Sequence, residues 1–403
     1  MSVEKNPAIP HIELLAALAV LNHRSAVQIQ VPLLDLKEQN AALETEFKAA
    51  FEEVLRSGYY ISGPRVAAFE KDLAEYTGTA EAIAVSSGTD ALLLSMMAMG
   101  IGPGDEVICP SFTFFATAGS IHRLGATPVF VDCDPITFNS RVSDFESAVT
   151  PKTKAVIPVH LFGQMAEMDP IVEFARDRQL LVIEDAAQAL GSRIGDRHAG
   201  SIGDCGTFSF FPSKNLSGFG EGGAIITNDT EFAARCRIIR NHGMQPRYHH
   251  SLVGGNFRLD EIQGALLQIK LGHLDRYIDS RARNAAFYVE RLQQLLGSVE
   301  ALILPTVLPD FHHIWNQFTL RVIGEGRRDA LREHLIANGI AAEIYYPVPL
   351  HRQECFASII DPDQSFAVSD ELAIQVLSIP IFPELKPEQL EHVVAQIESF
   401  FKS

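Results

Sequence analysis

From Val31 onward the chain moves between two hydrophobic periods. Residues 37–56 carry apolar side chains at helical spacing, and Ser57-Gly58-Tyr59-Tyr60-Ile61-Ser62-Gly63-Pro64 interrupts them with helix-ending residues. A second helix is predicted over 66–76. Beyond it, apolar runs of four or five residues recur at 82–85, 106–109, 128–131, 155–159, 180–183, 207–211 and 224–227. Helical segments lie between several of them, at 90–99, 116–124 and 171–178. Apolar runs this short, bounded by turn residues, are strands buried on both faces. With helices between them they make βα units around a largely parallel sheet.

After about residue 260 the texture changes. One long helix is predicted over 259–296 with a break near Gly272, then strands at 318–322 and 342–345 and a closing helix at 387–401. The chain therefore reads as a large α/β domain over 31–262 and a smaller C-terminal α+β domain over 263–403, with a cleft between them. Residues 1–30 read as an N-terminal extension. Its apolar run from Leu14 to Leu21, which suggests a short amphipathic helix, is shorter than the ~20 residues that span a bilayer. It also lacks a basic start and a small-residue cleavage site.

Composition narrows the function. The 403 residues are 47% hydrophobic and 21% charged, which excludes a disordered or collagen-like chain. Subtracting 50 acidic from 33 basic residues leaves −17. That charge repels polyphosphate at long range, so neither nucleic acid nor an anionic membrane is expected as a partner. A local pocket for one small anion stays open. The five cysteines, Cys109, Cys133, Cys205, Cys236 and Cys355, form no CxxC pair and no metal-ligand spacing. They read as reduced thiols of a cytoplasmic protein without a metal site.

Three segments carry candidate chemistry. Ser86-Ser87-Gly88-Thr89-Asp90 follows a strand and opens a helix, so it is either a phosphate-binding helix N-terminus or an ordinary capped turn. Leu181-Val182-Ile183-Glu184-Asp185-Ala186-Ala187-Gln188 delivers an acidic pair to a strand's C-terminal end, where open α/β sheets bind ligands. A carboxylate there can ligate a metal, act as a base, hold a protonated heterocycle, or simply cap the strand. In the run from Thr207 to Gly223, Lys214 lies in a turn between an aromatic stretch and a glycine-rich loop. Among apolar groups or near other cations it loses part of its tendency to protonate, which suits Schiff-base chemistry; the alternative is a solvated loop lysine.

The order of these features, a Gly-Thr turn, an Asp at a strand end, then Ser209 and Lys214 flanking four residues, resembles the fold-type I pyridoxal-5′-phosphate enzymes. More narrowly it resembles the DegT/StrS sugar aminotransferases, from Val31-Pro32-Leu33-Leu34-Asp35-Leu36 to Leu377-Ser378-Ile379-Pro380-Ile381-Phe382-Pro383. The resemblance implies an aspartate aminotransferase-like large domain, pyridoxal 5′-phosphate as cofactor, and these site residues. Lys214 would carry the cofactor as a Schiff base and shuttle the proton. Asp185 would keep the pyridine nitrogen protonated, and Gln188 would lie near the 3-hydroxyl. Gly88, Thr89 and Ser209 would hold the phosphate, and Phe114 would stack on the ring. Asn256 would reach the phosphate bound to a neighbouring subunit, making a homodimer with shared active sites the minimum unit.

On the substrate side, His160 ends a strand near the cleft, where it either lines the site or packs. Arg247-Tyr248-His249-His250 either helps bind a nucleotide diphosphate or is a polar surface loop. Tyr345, Tyr346 and His351 resemble the family's C-terminal substrate-side segment. Related dehydratases carry histidine at the Schiff-base position, so Lys214 favours transamination. The implied reaction moves an amino group from glutamate to a keto group of a nucleotide-linked sugar, with the motifs most like members acting at C3. It serves polysaccharide, lipopolysaccharide or antibiotic amino-sugar synthesis. The rival readings are a cyclitol aminotransferase or sugar dehydratase on the same scaffold, and a non-catalytic regulator.

Overall fold

The computed structural model describes residues 29–296, 300–360 and 364–402, so the expected helix around Leu14–Leu21 lies outside the described residues. Seven strands form the central sheet: β1 (Glu81–Val85), β2 (Glu106–Pro110), β3 (Thr127–Val131), β4 (Thr153–Val156), β5 (Leu181–Asp185), β6 (Cys205–Ser209) and β7 (Gly223–Thr227). Their spatial order is β1-β7-β6-β5-β4-β2-β3. The β3-β2-β4-β5-β6 pairings are all parallel, and β7 alone runs against its neighbours. The period of two along each strand sends alternate side chains to two separate cores. Ala82, Ala84, Ile108, Val156, Val182 and Ile226 enter one; Ile83, Val107, Ala155, Ile183, Cys205 and Ile225 enter the other. A sheet that is apolar on both faces needs helices on both, as the alternating pattern predicts.

The expected helix over 37–56 is two, Lys37–Ala42 and Glu44–Ser57, joined at Leu43. The long C-terminal helix also divides, into Glu261–Leu271 and Leu274–Leu296, at the Gly272-His273 step. The third core gathers Tyr288, Leu292, Phe318, Leu320, Leu377, Ile379, Val393 and Ile397 around a small antiparallel sheet of β8 (Leu302–Ile303), β9 (Phe318–Val322) and β10 (Val376–Ile379). Val31, assigned by pattern to the large unit, packs here instead: its N–H donates to the Gly339 carbonyl and its carbonyl accepts from Ala341 N–H, each at 2.9 Å.

One predicted strand is absent. Residues 342–345 make a single bridge, Glu343 to Ser378, on the outer edge of β10. Pro347 and Pro349 follow at once, and a residue without an N–H cannot extend a ladder. The chain therefore leaves the sheet edge at Tyr345, and Leu350 N–H donates to the Ser111 carbonyl just past β2 at 2.8 Å.

Candidate active site

A cavity of about 500 Å³ opens where the parallel strands end. Gly88, Thr89, Phe114, Asp185, Gln188, Ser209 and Lys214 all line it, each from a loop or helix start just beyond a strand or from a strand's last residue. Tyr345 and Tyr346 close it from the C-terminal part of the chain. A wider groove of about 1050 Å³ beside residues 30–38 touches the cavity wall at Phe211 and Ser213, but contains neither the lysine nor the buried carboxylate.

The acidic pair is divided by strand alternation. Asp185 faces the cavity, 5% exposed, and its Oδ2 accepts from Thr117 Oγ1 at 2.8 Å while Oδ1 accepts from Ala187 N–H at 3.2 Å. Burial raises its pKa, while Thr117, Ala187 and the Lys214 ammonium pull the other way. Glu184 points to the opposite side. Its Oε1 accepts from Ile202 and Gly203 N–H (2.7 and 2.6 Å), and Oε2 accepts from Gly200 N–H (2.9 Å) and His160 Nε2–H (2.8 Å).

Lys214 lies where the chain leaves β6. Its N–H donates to the Phe211 carbonyl at 2.8 Å, Asn215 Nδ2 to the Ile314 carbonyl at 2.9 Å, and Gly218 N–H to the Phe210 carbonyl at 2.7 Å. The side chain is half-buried because it borders the cavity, yet protein surrounds it. Loss of hydration pushes its ammonium down to about 8, with Asp185 opposing. In the cofactor-free protein, labelling of Lys214 by acetic anhydride is therefore expected to rise through pH ~8. At neutral pH it would exceed that of an ordinary exposed lysine by roughly 100-fold, because only the neutral amine reacts and each pKa unit is tenfold. Peptide mass spectrometry of competitively labelled protein measures this directly, and a midpoint near that of an exposed lysine would refute it.

Opposite stands the N-terminus of helix Gly88–Ala98. Ser87 caps it by accepting from Asp90 N–H at 3.0 Å, which leaves the Gly88 and Thr89 N–H groups without a protein acceptor among the described residues. A Cβ on Gly88 would lie 2.7 Å from Ser209 Cβ, so glycine there allows the Ser209 hydroxyl to approach the free N–H groups. Gln188 is held by both ends: Oε1 accepts from Phe162 N–H at 2.7 Å and Nε2 donates to Tyr346 Oη at 3.2 Å. Phe114 is 57% exposed at the cavity wall, its ring centroid 6.1 Å from that of Tyr346.

Other expected residues fall elsewhere. His160 is fully buried behind Asp185, not on the cavity wall. Its Nδ1 accepts from Ala166 N–H (3.1 Å), so Nε2 carries the proton given to Glu184. His351 is also buried off the wall, stacked on Phe366 with Nδ1 2.6 Å from Ser111 Oγ. Arg247 and His250 lie on an exposed loop away from this cavity, Arg247 over the Tyr248 ring at 4.9 Å and His250 Nδ1 donating to the His242 carbonyl at 2.9 Å. Asn256, at the end of that loop, is exposed and likewise off the wall. Thr117, Gln317 and Glu221 were not expected. Only Thr117 left a signal: Thr113 and Thr117 are hydroxyls four residues apart at a helix start, 3.3 Å from each other.

These features fit a phosphorylated aldehyde cofactor: free N–H groups beside a hydroxyl for the phosphate, a lysine of lowered pKa, and a buried carboxylate for a cationic ring. Fold and site together define a pyridoxal-phosphate-dependent transferase. The sequence profile of the DegT/DnrJ/EryC1/StrS aminotransferase family matches residues 41–398, and the chain belongs to that family. It is 46% identical over 93% of its length to a protein of Geobacillus stearothermophilus called pleiotropic regulatory protein, covering 99% of that chain. It is 43% identical over 91% of its length to the UDP-N-acetyl-3-dehydro-alpha-D-glucosamine 3-aminotransferase of Acidithiobacillus ferrooxidans, covering 97% of it. A solved structure of NtdA from Bacillus subtilis with bound cofactor PMP matches with a TM-score of 0.86 at 31% identity, over 95% of this chain and 88% of that one. Among the described residues, no helix is long and apolar enough to cross a membrane.

Proposed function

We propose that this chain aminates the C3 ketone of a nucleotide-linked sugar, with glutamate as donor, as a cytoplasmic homodimer. The observation that carries the reading is the placement of Lys214 and Asp185 on one cavity with the free N–H groups of Gly88 and Thr89. Gly88, Thr89 and Ser209 would hold the cofactor phosphate, Phe114 would cover its ring and Gln188 its 3-hydroxyl side. When bound, pyridoxal phosphate supplies a cationic ring that takes up the electron pair left when an amino acid loses its α-proton. Asp185, buried and dry, would keep that ring cationic. Lys214 Nζ, neutral in a large fraction near pH 8, takes and returns the proton.

Substrate charge points to the second subunit. Among the described residues, Lys214 is the only lysine or arginine on the cavity wall, beside two carboxylates, Asp185 and Glu221. A nucleotide diphosphate and glutamate's carboxylates must therefore find cations beyond it. The exposed loop would offer one in Arg247 across a dimer, with His250 and the neutral amide of Asn256 as hydrogen-bonding groups beside it, so each site would borrow from both chains. Accordingly, Lys214→Ala and Asn256→Ala proteins, each impaired alone, are expected to regain activity when co-refolded. In a mixed dimer one site keeps both residues, so random pairing restores about one site in four. No recovery, with mixed dimers verified by mass, would place Asn256 in its own subunit's site.

The decisive assay uses the cofactor-loaded protein, L-glutamate and a UDP-linked 2-acetamido-3-keto sugar. Transamination turns the ketone into an amine and glutamate into 2-oxoglutarate in equal amounts; dehydration consumes no glutamate. Formation of the amino sugar with matching 2-oxoglutarate is expected. A bound cofactor whose spectrum glutamate leaves unchanged would exclude this donor. A chain that binds no cofactor would favour the regulatory reading that one relative's name carries.

A further inference from the structure

The loop that carries Lys214 is held from beneath by one helix, Glu261–Leu271. Gln263 pairs with Phe219 twice: its Oε1 accepts from Phe219 N–H and its Nε2 donates to the Phe219 carbonyl, both at 2.9 Å. About two turns further along the same helix, Lys270 is fully buried, and its Nζ donates to Ser217 Oγ. Nζ also stands 5.9 Å from the centre of the Phe219 ring. Ser217 is itself buried and follows Lys214 by three residues. The remaining charge facing Lys270 is Glu384, on the segment after β10, which also faces the buried Arg281 and bonds with Gln39.

A lysine in this place works against stability. Burial pushes its ammonium down to about 8, with Glu384 opposing. An apolar side chain of similar length would fill the same space without that desolvation cost. What the ammonium reaches is a hydroxyl on the loop that aims Lys214. A hydroxyl that accepts from a buried cation is fixed more firmly than one in a neutral bond. Its own proton is then free for another acceptor, so the bond constrains position without exhausting the serine.

We propose that Lys270 is a positioning residue for Lys214: through Ser217 it fixes the loop so that Nζ of Lys214 stands at the cofactor-bearing end of the cavity. This rests on the reading of Lys214 as the cofactor lysine. Lys270 itself touches neither the cavity wall nor the reacting atoms.

The test uses the full chain loaded with pyridoxal phosphate, as wild type, Lys270→Met and Ser217→Ala. The quantities read are melting temperature, cofactor content, the pH midpoint of the visible band of the bound cofactor, and kcat and KM for the glutamate half-reaction. Both variants are expected to fold, bind cofactor and keep KM. Both should show a displaced pH midpoint and lose roughly 10- to 100-fold in kcat, the scale that follows when a reacting group is displaced by about an ångström. A residue serving only to pack would lower the melting temperature and leave midpoint and kcat alone. If Lys270→Met does not fold, Ser217→Ala decides, since it removes one hydroxyl and nothing else. An unchanged midpoint and kcat in the folded variants would overturn the role of Lys270 while leaving that of Lys214 intact. A wild-type protein with no visible band would instead remove the reading of Lys214 itself.

Discussion

Lys214→Ala is expected to fold as the wild type does and to lose at least ~10³-fold in turnover, within the span that a positioned acid–base group supplies. The loss follows from the chemistry of one atom. Nζ of Lys214 borders the cavity in a setting that holds its pKa to about 8, so a base and its conjugate acid are both present at working pH. Alanine provides neither. Stability should not fall, because the change removes a cation whose burial is unfavourable and breaks no side-chain hydrogen bond present in the structure. Lys214→Arg sharpens the test: the charge stays, but a guanidinium does not give up its proton in proteins, so activity should not return. Small primary amines added to Lys214→Ala should restore part of the rate, because they can carry the proton from solution. Single-turnover rates with glutamate, alongside thermal melting, measure all of this. Full activity in Lys214→Ala would refute the assignment.

The positions of Lys214 and Asp185 are legible in the sequence for a physical reason, whereas their roles are what the family resemblance implies. Each residue follows a short apolar run that reads as a buried strand, and groups just past such strands gather at one end of a parallel sheet. Gly88 and Thr89 reach the same place by opening a helix. Periodicity is less informative wherever the partner is remote in sequence. Thr117 meets Asp185 across 68 residues, and nothing near either residue announces the pairing. His160 ends up behind the site because its loop turns toward Glu184, a choice made by N–H groups at Gly200, Ile202 and Gly203. Beside β10, 342–345 has the composition of a strand, but the prolines after it prevent a ladder. Residues 376–379 form the strand that pairs with β9 although they follow a helix with no intervening loop.

Asp185→Asn separates electrostatics from architecture. Asparagine has the same shape and can keep the bond with Thr117, so the variant should fold as well as wild type or better, a buried acid having been replaced by a neutral amide. Activity is expected to fall on the order of 10²–10³-fold, the scale for deleting a single preorganised electrostatic partner. Cofactor binding should weaken with it, because a neutral amide gives the ring nitrogen no reason to stay protonated. The neighbouring residue supplies the control. Glu184→Gln leaves the cavity wall untouched but gives up the acceptor capacity that three backbone N–H groups and His160 share. It should cost about 3 kcal/mol of stability while the folded fraction keeps its turnover. Two adjacent carboxylates on one strand, facing opposite sides of the sheet, should thus divide cleanly: one substitution lowers kcat at constant melting temperature, and the other lowers melting temperature at constant kcat. Denaturant titration and steady-state rates on the same preparations decide it. If Asp185→Asn proved neutral in both, the pyridine partner would have to be sought elsewhere on the cavity wall, where Glu221 is the only other carboxylate among the described residues.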